Sequence, residues 1–150
     1  MKIPSALDVA AFIIELSQET GEVVTNMKLQ KLLYYSQAWY LVNFNSTPLF
    51  NEDIQAWQYG PVVPQVYEEY SIYKADNIRE VKGSISSSDN LDDDRKHLIT
   101  EVFGIYGKIS AIDLMNLSHN ESPWITTYEP EKFNKIENSK IFSYFSEKKI

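Results

Sequence analysis

The longest apolar pattern in the sequence predicts a helix over about residues 26–44. Thr25 or Asn26 can be its N-cap, because a short polar side chain accepts a hydrogen bond from the free N–H groups of the first turn. Apolar residues surround most of this helix, and the interruptions are few: Lys28, Gln30, Lys31 and Gln37. A helix that is apolar on nearly all sides is usually buried. We therefore expect this segment to be the central helix of the fold.

Further helices are predicted on both sides of the central helix. Ser5 and Asp8 have the spacing of a capping box, which satisfies free N–H groups at a helix start. Pro61 and Pro64 indicate another helix start, because proline is tolerated in the first helical turn. The apolar periodicity places the additional helices at about 6–20, 61–70, 92–106, 111–118 and 138–148.

Little β-structure is predicted. Residues 54–57 alternate between polar and apolar, and the following Gly60–Pro61 is a turn signal. Residues 74–90 are polar and predict a poorly buried connection, with an extended piece around 78–85 that can form one edge strand. Pro123–Trp124 is placed in a loop after the helix at 111–118.

These elements predict a mainly α fold. We expect a compact single-domain helical bundle of about five or six helices around the buried central helix, with one small β-strand pair or hairpin at most. A chain of 150 residues has the length of one domain and can bury roughly 70% of the surface that its unfolded form exposes.

The charge and composition exclude several function classes. The chain has 21 acidic against 14 basic residues, and only two of the basic residues are arginines. Binding to phosphates needs clustered cations, so we expect no direct nucleic-acid binding. The acidic surface either matches a basic protein partner or serves solubility alone. The sequence contains no cysteine and no apolar run of about 18 residues, so we expect a cytoplasmic protein that does not bind membranes.

The candidates for catalytic chemistry are weak. His97 and His119 do not have the spacing of paired zinc ligands on a helix. His119 and Glu121 match the H-x-E pattern of zinc deaminases, but that site also needs cysteine ligands. Ser118 lacks the G-x-S-x-G context of a nucleophile elbow. We therefore expect no enzymatic activity, no metal and no cofactor. A small hydrolase or metal protein that uses His119 and Glu121 is the alternative.

Three stretches of sequence carry a more specific signal. The first is K-L-Q-K-L-L-Y-Y at 28–35, followed by Ala38–Trp39. The second, at 48–64, contains A-W-Q-Y-G-P-V, and the third combines L-S-H and S-P-W within 117–124. Their order and spacing resemble the Panacea domain, also described as SocA-like antitoxin or phage-associated GepA-like protein. The resemblance spans about 6–124, and the A-W-x-Y-G-P-V core is its most specific part.

This resemblance implies a single Panacea-like domain over 1–150, with the motifs in about 6–124 and a C-terminal helical tail at about 138–148. It implies the antitoxin of a toxin–antitoxin module, which neutralises a cognate protein toxin by direct binding. We expect this toxin to be basic and to be encoded by the adjacent gene. One branch of the family implies an alternative, a proteolytic adaptor that delivers its toxin to a cytoplasmic ATP-dependent protease.

The motif residues are the candidates for partner binding. They either contact the toxin or hold the fold that presents a contact surface. Aromatic and proline residues in loops and turns are the candidate anchors, because loops reach partners more easily than helix cores do. The full candidate set is Lys28, Gln30, Lys31, Tyr35, Trp39, Trp57, Tyr59, Gly60, Pro61, Val62, Ser118, His119, Pro123 and Trp124, and the anchors among them are Trp57, Tyr59, Pro61, Pro123 and Trp124.

Overall fold

A computed structural model describes residues 2–81 and 87–148 of the chain. These residues form seven α-helices, two short 3-10 helices (Ser71–Tyr73 and Ser88–Asn90) and one two-stranded antiparallel sheet. The elements are α1 (Ala6–Thr20), α2 (Asn26–Asn43), β1 (Gln55–Trp57), β2 (Gly60–Val62), α3 (Pro64–Glu69), α4 (Asp93–Tyr106), α5 (Ala111–His119), α6 (Ser122–Ile125) and α7 (Asn138–Ser146).

Helix α2 lies at the centre of the fold, as its apolar pattern predicts. The Thr25 hydroxyl accepts a hydrogen bond from the Lys28 N–H at 3.3 Å and so begins the helix. Around it pack α1, α3, α4, α5, α7 and β2. Leu29, Leu33 and Tyr34 of α2 are fully buried. The predicted mainly α bundle around a buried central helix is confirmed.

Helix α1 begins with the predicted capping box, in which the Ser5 side chain and the Asp8 side chain each bond the other's backbone N–H. The Asp8 carboxylate also accepts hydrogen bonds from the Ser87 N–H at 2.8 Å and from the Asn90 amide at 3.0 Å. Burial acts to raise the pKa of Asp8, but these hydrogen bonds outweigh burial and the pKa is lowered. Asp8 therefore fixes the segment before α4 to the start of α1.

The described residues contain one small hairpin, which agrees with the predicted limit of one strand pair, and the C-terminal segment runs beside it. Strands β1 and β2 pair so that Trp57 faces Gly60. On the other edge of β1, the Ala56 N–H donates to the Asn134 carbonyl at 2.9 Å, and the Ile136 N–H donates to the Ile54 carbonyl at 2.7 Å. These bonds tie the segment before α7 to β1.

Three local predictions need correction or fall outside the described residues. Pro61 lies in β2 instead of a helix start, and Pro64 alone opens α3. Pro123–Trp124 lies in the one-turn helix α6 instead of a loop, because proline suits the first turn of a helix as well as it suits a loop. Residues 78–81 are not a strand, and residues 82–86 of the predicted extended piece lie outside the described residues. Within the described ranges, no helix is long and apolar enough to cross a membrane.

Candidate partner-binding surface

The four polar residues that interrupt the apolar pattern of α2 (Lys28, Gln30, Lys31 and Gln37) are buried, and each bonds a backbone group from another part of the chain. The Lys28 ammonium donates to the Gly107 carbonyl at 2.5 Å, after the end of α4. The Gln30 side chain accepts from the Val63 N–H at 2.9 Å, directly after β2. Buried polar groups cost free energy unless they are hydrogen-bonded, so these partners explain how the helix tolerates them. The residues that interrupt the apolar pattern therefore fix the connections around α2.

Lys31 is as deeply buried as the neighbouring Gln30, with 1% of its surface exposed. Its ammonium donates to the Pro61 carbonyl of β2 at 3.3 Å. In the part of the chain that the structure describes, no carboxylate forms an ion pair with it. Burial lowers the pKa of Lys31 from 10.5 to about 7, because an apolar surrounding disfavours the charged form.

Gly60 allows the hairpin to approach Lys31 closely. Its φ of +108° is a conformation that side-chain-bearing residues rarely adopt. A Cβ atom at this position would lie 2.7 Å from Cε of Lys31 and 3.0 Å from Oγ of Ser118 on α5. The first, second and third sequence motifs therefore meet at one point, where glycine is required for both its conformation and its size.

The third motif also anchors the hairpin through Trp124. Its indole N–H donates to the Trp57 carbonyl at 2.8 Å, and its ring stacks on His119 with centroids 4.1 Å apart. Burial lowers the pKa of His119, a backbone contact with Gln58 acts to raise it, and the charge of Lys31 lowers it further. Nε2 of His119 is buried and has no hydrogen-bond partner among the described residues. His119 thus serves as a packing surface for Trp124.

Glu121 forms a separate buried cluster with two tyrosines of α2. The hydroxyl groups of Tyr34 and Tyr35 donate to its carboxylate at 3.0–3.2 Å. Burial raises the pKa of Glu121 from 4.5 to about 7, against the lowering effect of the two hydrogen bonds and of Lys148. Glu121 and His119 thus have different partners. The described residues contain no group of three or more potential metal ligands of the His, Cys, Asp or Glu type.

An aromatic surface surrounds Trp57 near the turn of the hairpin. The half-buried ring of Trp57 contacts Tyr67 of α3 at a centroid distance of 5.2 Å and Phe133 at 5.3 Å. Phe133 is 62% exposed and Tyr59, in the hairpin turn, is 55% exposed. We name Trp57, Tyr59, Tyr67 and Phe133 the aromatic face.

A pocket of about 390 Å³ opens beside this face. Its apolar walls include Met27, Val62 and three residues of the aromatic face, and Lys31 is among the residues that line it. The lining residues include two lysines and no acidic side chain. The described residues that line it are Thr25, Asn26, Met27, Gln30, Lys31, Trp57, Tyr59, Val62, Tyr67, Lys74, Ala75 and Ala111.

The candidate residues from the sequence divide into a buried and an accessible group. The buried residues are Lys28, Gln30, Lys31, Tyr35, Gly60, Pro61, Val62, Ser118 and Pro123. The half-buried or exposed residues are Trp39, Trp57, Tyr59, His119 and Trp124. Trp39 lies apart from the hairpin, where its indole N–H donates to the Tyr106 hydroxyl at 3.0 Å.

Sequence reasoning missed two members of the aromatic face as candidate site residues. Tyr67 belongs to the helical pattern after Pro64, so its periodicity indicated a packing residue. Phe133 is isolated in a polar segment, and no periodic pattern marks it. Only the pairing of residues 134–136 with β1 brings Phe133 to Trp57.

The motifs that meet at Lys31 and Gly60 define the class of protein. The profile of the family "Antitoxin SocA-like, Panacea domain" matches residues 29–125, and the chain belongs to this family. It is 32% identical over 133 residues to a protein named Antitoxin SocA from Caulobacter vibrioides (strain NA1000 / CB15N), covering 81% of this chain and 70% of that relative. No solved structure matches the chain. The family and this relative support an antitoxin-like role.

Proposed function

We propose that this protein neutralises a cognate protein toxin by binding it directly through the aromatic face. The observation that carries the proposal is the exposure of Tyr59 and Phe133 around the half-buried Trp57. Tyrosine and tryptophan are enriched among the residues that dominate binding energy at protein interfaces. Family membership supplies the expectation that the partner is a toxin.

The base of this face is firmly held, which favours binding. The indole of Trp57 donates to the Gln55 side chain at 2.9 Å, and its carbonyl accepts from Trp124. A surface that is ordered before binding loses less conformational entropy when the partner arrives. Neutralisation by covering a toxin needs such a surface and no catalytic group, so we propose that the chain acts without catalysing a reaction.

The net charge bears on the nature of the toxin. The formal charge of −7 at pH 7 favours encounter with a basic protein through long-range attraction. We therefore propose a basic toxin, encoded by the adjacent gene. Because long-range attraction is screened by salt, the association rate of the two proteins should fall as the salt concentration rises.

The proposal is tested by expressing the adjacent open reading frame under tight control, with and without this protein. Growth arrest that co-expression relieves, together with co-purification of the two proteins, is the expected result. A harmless neighbour, or a toxic one that co-expression does not relieve, would contradict the proposal. Relief without a stable complex, accompanied by a shorter half-life of the toxin, would indicate delivery to an ATP-dependent protease instead.

A further inference from the structure

The pocket beside the aromatic face combines apolar walls with a lysine that forms no ion pair with any described carboxylate. Lys31 lines this pocket, and among the described residues its ammonium donates to a neutral carbonyl, that of Pro61. Lysine is rarely buried in proteins unless it is paired. The cost of burying such a charge is reduced when an anion binds beside it.

Other groups around the pocket also favour an anion. Lys74 contributes a second cation to the lining. Helix α2 begins at the pocket with Thr25, Asn26 and Met27, and α5 begins there with Ala111. Helix N-termini carry partial positive charge and free N–H groups. A pocket lined by lysines and without acidic residues is notable in a chain whose formal charge is −7.

We propose that this pocket binds the C-terminus of a partner protein, with the terminal carboxylate at Lys31 and the apolar side chain of the last residue against Trp57, Tyr67 and Met27. The terminal residue carries its carboxylate and its side chain on the same carbon atom, so both can enter one pocket. The carboxylates of Asp and Glu bring no apolar group of this kind. A volume of about 390 Å³ lies within the range of sites that enclose small ligands.

The proposal rests on the proposed function for the identity of the partner, which is then the toxin. The recognition itself is a property of this chain and can be tested without the toxin. Failure of the peptide experiment below therefore leaves toxin neutralisation untouched, and failure of neutralisation leaves peptide binding untouched.

The experiment titrates the purified ¹⁵N-labelled protein with N-acetyl-Gly-Ala-Phe and follows the backbone amide shifts by NMR. We expect shifts at the pocket residues, and binding at least about tenfold weaker for the same peptide with a C-terminal amide, because a charge-assisted hydrogen bond is lost. Equal binding of the acid and the amide, or no binding of either, would overturn the proposal.

Two further probes identify the source of the carboxylate. N-acetyl-Glu-Phe-amide presents a side-chain carboxylate, and 3-phenylpropionate presents a free small-molecule acid. We expect both to bind more weakly than the peptide acid. Tighter or equal binding of the first would overturn the assignment to a chain terminus, and tighter or equal binding of the second would assign the pocket to a small molecule.

Substitution of Lys31 tests the residue that carries the proposal. Lys31→Met keeps the length of the side chain and removes its charge, so we expect at least about tenfold weaker binding of the peptide acid and little change for the amide. Lys108→Met, at an exposed position outside the pocket lining, is the matched control and should bind like the wild type. Unchanged affinity in a folded Lys31→Met protein would overturn the role of Lys31.

The pH dependence of binding gives a second readout that needs no substitution. Because the pKa of free Lys31 is about 7, peptide affinity should be constant at about pH 5.5–6.5 and fall about tenfold per pH unit above 7. The other titratable groups facing Lys31 or the pocket are His119 from α5 and Tyr59, Tyr67 and Lys74 at the opening. Because the pKa of His119 is lowered, this side chain is neutral above pH 7, where the peptide affinity is expected to fall. Affinity that does not change from pH 6 to pH 9 would contradict the proposal.

Discussion

At the scale of single residues, Lys31 and Glu121 are ionisable side chains that the fold buries on or against α2. Each meets neutral partners: a backbone carbonyl for Lys31 and two tyrosine hydroxyls for Glu121. Burial moves both pKa values to about 7, from opposite directions. The stability of the protein should therefore depend on pH in the neutral range, where few ordinary side chains titrate.

Glu121→Gln should remove the part of the pH dependence in which stability falls as pH rises. The folded pKa of Glu121 is raised, so between about pH 4.5 and 7 the folded state binds more protons than the unfolded state, and stability falls as pH rises. We expect the free energy of unfolding to decline less across this range in Glu121→Gln than in the wild type, measured by urea unfolding at several pH values. Glu68→Gln, at an exposed position on α3, is the control. Parallel profiles for the wild type and Glu121→Gln would contradict the burial of a titrating carboxyl.

Lys31→Met should remove the part of the pH dependence in which stability rises with pH. The folded pKa of Lys31 is lowered to about 7, so between about pH 7 and 10 the unfolded state binds more protons, and stability rises with pH. We expect this rise between pH 7 and 9 in the wild type and in Lys108→Met, and a flatter profile in Lys31→Met. The range ends at 9 because the buried tyrosines, whose pKa values are raised, affect stability at higher pH. An equal rise in Lys31→Met would show that another group causes it.

The burial of the polar side chains of α2 could not be predicted from the sequence. The apolar pattern correctly identified α2 as the central helix, but it treated Lys28, Gln30 and Lys31 as interruptions. Their hydrogen-bond partners are the backbone groups of Gly107, Val63 and Pro61, which lie far along the chain. A local pattern contains no information about such partners, so it cannot separate a solvated lysine from a buried one.

At the scale of elements, the hairpin β1–β2 joins the three sequence motifs. Alternation at 54–57 predicted its first strand. The second strand was missed, because Gly60–Pro61 was interpreted as a turn followed by a helix start. The positions of Pro61 and Pro123 could not be predicted in the same way, since proline fits an edge strand, a loop and a first helical turn. The pairing of residues 134–136 with β1 was also missed, because that segment lacks an apolar alternation.

Gly60→Ala tests the hairpin as the meeting point of the motifs. The added Cβ would lie 2.7 Å from a buried carbon of Lys31 and would require a positive φ, so we expect a loss of roughly 2 kcal/mol in stability. Gly104→Ala is the matched control, because nothing lies within 4 Å of its Cβ position in α4. That change should stabilise the protein by about 0.5–1 kcal/mol. Chemical denaturation of both variants measures the difference, and equal stability would contradict the close packing at Gly60.

At the scale of the whole molecule, the buried and exposed parts of the motifs have different roles. Lys28 and Gln30 bind the ends of α4 and β2 to α2, and Gly60 lets the hairpin approach Lys31 and Ser118. Tyr59 and Phe133, by contrast, are exposed to solvent. This separation allows the surface of an antitoxin to change without loss of its scaffold. The resemblance in the sequence indicated the scaffold well, since most of its motif residues are buried. It gave less information about the contact surface, because Phe133 lies outside the motifs.

The role of the aromatic face in toxin binding is tested by measuring the affinity of the purified protein for the toxin after removal of the exposed rings. The double variant Tyr59→Ala/Phe133→Ala should keep its fold and bind the toxin at least about 30-fold more weakly, which corresponds to roughly 2 kcal/mol. Ile105→Ala removes a comparably exposed side chain from α4 and should bind within about threefold of the wild type. A double variant that binds the toxin as tightly as the wild type would contradict the assignment of the aromatic face as the toxin-binding surface.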